Sequence, residues 1–220
     1  MGAAKANPAR TLLLVGVIAA GAALIVSSSY EFSRDRIIAN ERARLVQSLY
    51  SVLDPQIEVS SLNPLPIQAL DSELLGSDDA IDVFVITDNG NPISVIFASI
   101  APDGYNAAIQ LLIGISVEGV VSGVRVISHR ETPGLGDDIE IAKSDWIRQF
   151  DGATLQAPSP ENWSVDKDGG SFDSLTGATV TPRAIVAAVK NTLSYFQLNK
   201  DQLFDAAIQA ERQSSEARSE

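Results

Sequence analysis

Hydrophobic residues fall along this chain in three rhythms. The first is unbroken: residues 11–29 (TLLLVGVIAAGAALIVSSS) carry no charge. At about 1.5 Å rise per residue, a helix of that length covers roughly 28 Å, close to the hydrocarbon thickness of a bilayer. This predicts a single transmembrane helix, with residues 1–10 as a short tail on the cytoplasmic side. A cleaved signal peptide is the alternative, because Val26-Ser27-Ser28 has the small side chains of a cleavage site. Arg34, Arg36, Arg42 and Arg44 beyond the span outnumber Lys5 and Arg10 before it. They alternate with Glu31, Asp35 and Glu41, and long domains translocate regardless of charge, so the expectation is the tail inside and the domain outside.

The second rhythm is helical. Ile37, Ile38, Leu45 and Leu49 recur between charges, which predicts a stalk over residues 30–54, closed by Asp54-Pro55. Near the other end Thr181-Pro182 reads as a helix start, with Thr181 as cap and Pro182 in the first helical position. Ile185, Val186, Val189, Leu193 and Phe196 form its buried stripe, and it is predicted to end near Leu198. Residues 139–150 also read as a helix, with Trp146 and Ile147 on its apolar side. Residues 206–220 read as a polar, disordered tail.

The third rhythm has period two. Residues 81–87 (IDVFVIT) and 93–100, joined by Asp88-Asn89-Gly90-Asn91-Pro92, predict a β-hairpin. Residues 108–117 and 120–129, joined at Glu118-Gly119, predict a second, with Val124 and Val126 on one buried face. Residues 63–66, 76–79 and most of 151–172 read as loops. The resulting expectation is an α+β fold: one N-terminal transmembrane helix, then a domain over residues 55–205 of antiparallel β-hairpins packed with helices.

Composition narrows the chemistry. A formal net charge of −12 argues against nucleic acid, since phosphate backbones require clustered Lys and Arg. With no cysteine, disulfides, thiolate chemistry and cysteine-ligated iron–sulfur clusters are excluded within the chain. His129 is the single histidine, so no multi-histidine zinc or bis-histidine haem site can form. No metal site and no catalytic triad is expected. For an electron carrier of this composition an organic cofactor is the simplest option.

Two segments could carry chemistry. Asp173-Ser174-Leu175-Thr176-Gly177-Ala178-Thr179 precedes the last helix. Gly177 permits unusual dihedrals, and Thr179 presents a hydroxyl beside a helix start, where free amides and the dipole favour a phosphate. An ordinary capped loop has the same local chemistry. His129-Arg130-Glu131-Thr132-Pro133-Gly134-Leu135-Gly136 is a strand end and a turn, stiff at Pro133 and permissive at its glycines. Asp137, Asp138 and Glu140 read as a solvated helix start rather than a metal site. Arg183 stands equally for a phosphate partner or a solvated helix residue.

The first segment resembles the flavinylation motif of the FMN-binding domain family: Asp, two variable residues, Ser or Thr, Gly, Ala, Thr. The matches are Asp173, Thr176, Gly177, Ala178 and Thr179. The second resembles the family's flavin-contacting loop, unbroken from Glu131 to Gly136. Gly104-Tyr105 before the second hairpin also matches the family's pattern. The resemblance implies FMN joined to Thr179 through a phosphoester, placed there by a separate flavin transferase that uses FAD and magnesium. It implies contacts from Glu131, Thr132, Gly134, Leu135 and Gly136, and from Thr176, Gly177, Ala178 and Asp173.

The order of anchor, stalk, hairpins and two motifs is similar to that of the G subunits of Rnf electron-transport complexes, located in the bacterial inner membrane. That implies a redox subunit of a translocase, passing electrons among membrane partners that couple ferredoxin and NAD to ion movement. The C subunit of the sodium-translocating NADH:quinone reductase is the alternative within the family. A flavin-free, membrane-anchored assembly or binding protein is the alternative outside it.

Overall fold

A computed structural model of the chain describes Gly16, Ala19, residues 46–54, Ile57, and residues 63–88 and 90–217. The predicted membrane span, apart from Gly16 and Ala19, lies outside the described residues, as do the N-terminal tail and the stalk up to residue 45. Among the described residues no helix is long and apolar enough to cross a membrane. Residues 48–220 form one compact unit, separate from residues 1–47. The unit therefore begins within the predicted stalk.

Its centre is one antiparallel sheet of six strands: β1 (Asn63–Ala69), β2 (Ile81–Asp88), β3 (Asn91–Phe97), β4 (Ile100–Ala101), β5 (Ile109–Ser116) and β6 (Val121–Ser128). Both predicted hairpins are present, β2 closing on β3 with Asp88 opposite Asn91, and β5 pairing β6. β3 and β4 lie end to end against β5 in one register, Phe97 opposite Ile113 and Ile100 opposite Gln110. The break at Ala98-Ser99 is held from the helix. Thr192 Oγ1 donates to the Ala188 carbonyl at 2.8 Å, so the buried Ser99 Oγ donates to Thr192 Oγ1 at 2.9 Å.

β1 replaces the loop expected at residues 63–66. Pro64 and Pro66 suggest a loop, but they are two residues apart and so face the same way. β1 pairs β2 along its whole length and lies at the sheet edge, so both missing amides fall on the outer side, where no ladder bond is lost.

Successive residues Val83, Phe84, Val85 and Ile86 of β2 are all buried, because the sheet is covered on both faces. One face meets the helix α1 (Val180–Ala217) through Val83, Val85, Phe97 and Ile113. Phe97 sets its ring edgewise to Tyr195 and Phe196, at 6.0 and 6.4 Å between centroids. Each large side chain buried along this stripe contributes about 1.5–3 kcal/mol.

The opposite face is covered by residues 49–53. Leu49, Val52 and Leu53 pack on Phe84, Ile86, Ile96 and Leu112. Gly114 and Gly123 face each other across β5 and β6, and a Cβ on Gly114 would lie 2.2 Å from the Val52 carbonyl oxygen. The two glycines thus make the slot in which the Val52 backbone lies, and Ser122 Oγ donates to the Val52 carbonyl at 2.6 Å.

Two helix expectations change. Residues 139–150 form not one helix but two 3-10 turns, Asp137–Ile139 and Trp146–Phe150. Ser144 donates its hydroxyl to the Asp138 carbonyl at 2.6 Å and accepts from the Trp146 amide, which diverts the backbone from helical pairing. The last helix begins at Val180 rather than after Thr181, and continues to Ala217 instead of ending near Leu198, so residues 206–217 are helical. Buried Leu203 and Ala207 extend its stripe past the polar run 199–202.

Candidate functional site

Two loops, one following β6 and the other following Phe172, converge at the start of α1. The first follows β6. The Glu131 amide donates to His129 Nδ1 at 3.1 Å, so His129 Nε2 carries the hydrogen and donates to Glu140 at 2.9 Å. His129 is a strut of the loop, in keeping with its place at a strand end. The chain then turns sharply, with the Leu135 and Gly136 amides both donating to the Thr132 carbonyl, at 3.1 and 3.0 Å.

Asp137 fixes the outer side of this turn. Its carboxylate accepts the Gly134 amide at 2.6 Å and Lys143 Nζ at 2.7 Å, and Lys143 also donates to Glu140 at 2.6 Å. The Lys143 hydrogen bond holds the Asp137 carboxyl below its ordinary range. Glu140 is lowered by Lys143 and then by His129, and Lys143 is raised in return. The acidic group expected as a solvated helix start is therefore a clasp on the loop, with Asp137 buried.

The second loop rests on aromatic rings. Phe172 stacks on Phe150 at 4.9 Å and meets Trp163 at 4.8 Å between centroids. The next residue, Asp173, is held by its backbone: its carbonyl accepts from Trp146 Nε1 at 2.8 Å and its amide donates to Gln149 Oε1 at 2.6 Å. Beyond it the chain turns at Gly177, whose φ of +81° suits only a residue without a Cβ. A Cβ there would also lie 3.0 Å from Leu135 Cδ2, so the two loops touch at this point.

Between them is a cleft of about 350 Å³, lined by Tyr105, Glu131, Thr132, Leu135, Gly136, Gly177, Ala178, Thr179, Val180 and Thr181. Seven of the residues singled out from the sequence meet here: Glu131, Thr132, Leu135, Gly136, Gly177, Ala178 and Thr179. Gly134, Asp173 and Thr176 are near but outside the lining. The other three lining residues carry weaker sequence signals. Thr181 reads as a helix cap, Tyr105 matches only the family's Gly-Tyr pair, and Val180 gives no signal.

Behind the cleft Glu131 is buried. It accepts the hydroxyl of the fully buried Thr181 and, at 3.3 Å, the amide of Asn106. Asn106 Nδ2 also ties to the Arg130 carbonyl at 2.8 Å. At the cleft mouth Tyr105, Leu135 and Val180 stay 66%, 45% and 42% exposed, an apolar rim with no covering element among the described residues. Thr179 immediately precedes α1 and its hydroxyl accepts from Lys167 Nζ at 3.3 Å. The first amides of a helix lack intrahelical acceptors, so this end of the cleft favours an anion. Arg183 has its guanidinium forked on Asp168 through two bonds of 2.6 Å, which makes it an ion-pair residue at the start of α1.

A second cleft of about 350 Å³ lies near Val117 and Phe196. Its one lysine, Lys200, is committed to the Val117 carbonyl at 2.5 Å, and it contains neither motif. The arrangement at Thr179 suits a flat, partly apolar ligand with a negative end.

Comparison with known proteins agrees with this geometry. Residues 104–194 match the model of the FMN-binding domain family, a span holding both loops and the first part of α1. The chain is similar to the G subunit of the ion-translocating oxidoreductase complex of Shewanella baltica, 40% identical over 91% of this chain and 93% of the relative. It is likewise similar to the G subunits of Pseudomonas aeruginosa, 40% identical over 91% and 94%, and Aliivibrio fischeri, 34% over 92% and 96%.

Proposed function

The chain belongs to the G-subunit family of ion-translocating oxidoreductase complexes, and on that premise we propose that it carries electrons on FMN joined covalently to Thr179. The observation that carries this reading is the convergence of the loop 131–136 and of residues 177–181, the end of the second loop and the start of α1, on one cleft lined by Thr179.

The residues present fit FMN. The cleft volume of about 350 Å³ falls within the range of small-molecule sites, about 300–1,000 Å³. Tyr105, Leu135 and Val180 offer apolar surface to a flat ring. Glu131 and Thr132 supply polar partners, and Thr179 with the α1 start receives the phosphate. Bound flavin supplies the redox chemistry that no side chain of this cysteine-free chain provides.

Attachment needs FAD, magnesium and a separate flavin transferase. Thr179 Oγ1 bonds to the phosphorus of the FMN half, the bond from that phosphorus to the bridging oxygen breaks, and AMP leaves with that oxygen. The hydroxyl proton passes to a base of the transferase or to water. The reaction transfers a group and changes no oxidation state.

Residues 11–29 anchor the chain in the inner membrane as a single span, with the domain on the outer side. There a covalent tether prevents loss of the flavin. The partners are the other membrane subunits of the Rnf complex, a translocase that couples ferredoxin and NAD to ion movement. The test is direct. The full-length chain, co-produced with flavin transferase, is run on a denaturing gel under ultraviolet light. A fluorescent band that vanishes in Thr179→Ala is the expected result. A dark wild-type band would favour a flavin-free assembly protein.

A further inference from the structure

We infer that Lys167 is the cation that receives the negative charge of the phosphate at Thr179. The inference rests on the reading of Thr179 as the attachment residue and names the side chain that serves it.

Two cations lie near this hydroxyl, and the structure separates their roles. Arg183 forks its guanidinium on Asp168, with Nε and Nη2 donating at 2.6 Å each. Lys167 makes no ion pair among the described residues, and its ammonium donates one hydrogen bond, to Thr179 Oγ1 at 3.3 Å. Its charge also acts weakly on Asp166, whose carboxyl is lowered first by the Ser174 hydroxyl and last by Lys167.

Lys167 is held in place from both sides. It is the middle residue of the 3-10 turn Asp166–Asp168. On one side Asp168 is clasped by Arg183, which stands in the first turn of α1. On the other, Asp166 Oδ1 accepts the Ser174 amide at 3.0 Å and the Ser174 hydroxyl, tying the turn to the loop that ends at Thr179. The helix start and the motif loop are thus both stitched to the residues flanking Lys167. Removing either stitch would loosen the lysine without touching Thr179.

The chemistry suits this placement. A phosphate esterified to both Thr179 and the flavin ribityl chain keeps one negative charge, which one ammonium balances. Lysine acts on phosphate as a point charge, and the partial positive charge of the α1 start adds to it. The same charge lowers the cost of building up negative charge on the phosphoryl oxygens as Thr179 Oγ1 bonds to phosphorus. Lys167 is therefore a phosphate-binding residue, and Arg183 a positioning residue that acts through Asp168.

The experiment measures the initial rate of flavin incorporation into the purified full-length chain in detergent. Flavin transferase, FAD and magnesium are supplied, and in-gel fluorescence is read per amount of protein. Lys167→Gln should slow incorporation by about tenfold or more, the worth of one charge-assisted hydrogen bond. Lys167→Arg should restore most of the rate. Added salt should slow the wild type more than Lys167→Gln, since only the wild type has the charge to screen. A Lys167→Gln rate equal to wild type would overturn the inference, as would a loss that arginine leaves unrepaired. A dark wild type, or a fluorescent Thr179→Ala, would instead bring down the attachment reading itself, whatever Lys167 does.

Discussion

The hydroxyl of Thr181 donates to the carboxylate of Glu131, fifty residues earlier in the chain, and both side chains are buried. This bond joins the loop after β6 to the first turn of α1 at the back of the cleft. It also explains the glycine at position 136, where a Cβ would lie 3.1 Å from Thr181 Oγ1 and 3.2 Å from Glu131 Oε2.

Thr181→Val keeps the shape and removes the donor, leaving a buried carboxylate short of a partner. It should cost about 1–3 kcal/mol of stability, whereas Thr181→Ser should cost much less. Denaturant unfolding of the two variants checks this. Equal stability in Thr181→Val and wild type would mean that the bond contributes nothing.

The Asp137, Glu140 and Lys143 clasp makes stability depend on pH in a defined direction. The two carboxyls are held below their ordinary values, chiefly by Lys143. Their contribution is full above the unfolded carboxylate range, about 3.9–4.3, and fades as pH falls through the lower folded values. Lys143 is held above its ordinary value, so its contribution is full below about 10.4 and fades as pH rises through the higher folded value. Lys143→Met should therefore be less stable than wild type at neutral pH, with the gap closing towards pH values below the carboxylate range. Thermal midpoints measured from acid to neutral pH test it, and a gap that widened in acid would contradict the clasp.

The slot made by Gly114 and Gly123 holds the Val52 backbone against the sheet. A Cβ at 114 meets the Val52 oxygen at 2.2 Å and Ser122 Oγ at 2.6 Å, while one at 123 comes no closer than 3.1 Å to Val52. Gly114→Ala should thus destabilise by about 1–3 kcal/mol, and Gly123→Ala by less. Limited proteolysis around Val52 should be faster in Gly114→Ala. Identical cleavage in both variants and wild type would mean that Val52 is not held by the slot.

Much of this was legible because it is local. The hairpins follow from alternation and turn residues, and both motifs lie within continuous runs of seven and six residues, 173–179 and 131–136. What escaped depends on neighbours distant in sequence. Pro64 and Pro66 look like loop residues until β2 shows which side of β1 is paired. The 139–150 segment has helical spacing, but the Ser144 hydroxyl captures backbone groups that a helix would need. Lys167 is an ordinary lysine in sequence, and only the Asp168–Arg183 and Asp166–Ser174 pairs bring it to Thr179.

Peptide fragmentation reads out the bond at Thr179 itself. Trypsin cutting after Lys167 and Arg183 releases residues 168–183, which include Ser171, Ser174, Thr176, Thr179 and Thr181. From the chain co-produced with flavin transferase, this peptide should be heavier by one FMN less one water, and its fragments should assign the added mass to Thr179. An unmodified peptide, or an added mass assigned to any of the other four hydroxyls, would contradict attachment at Thr179.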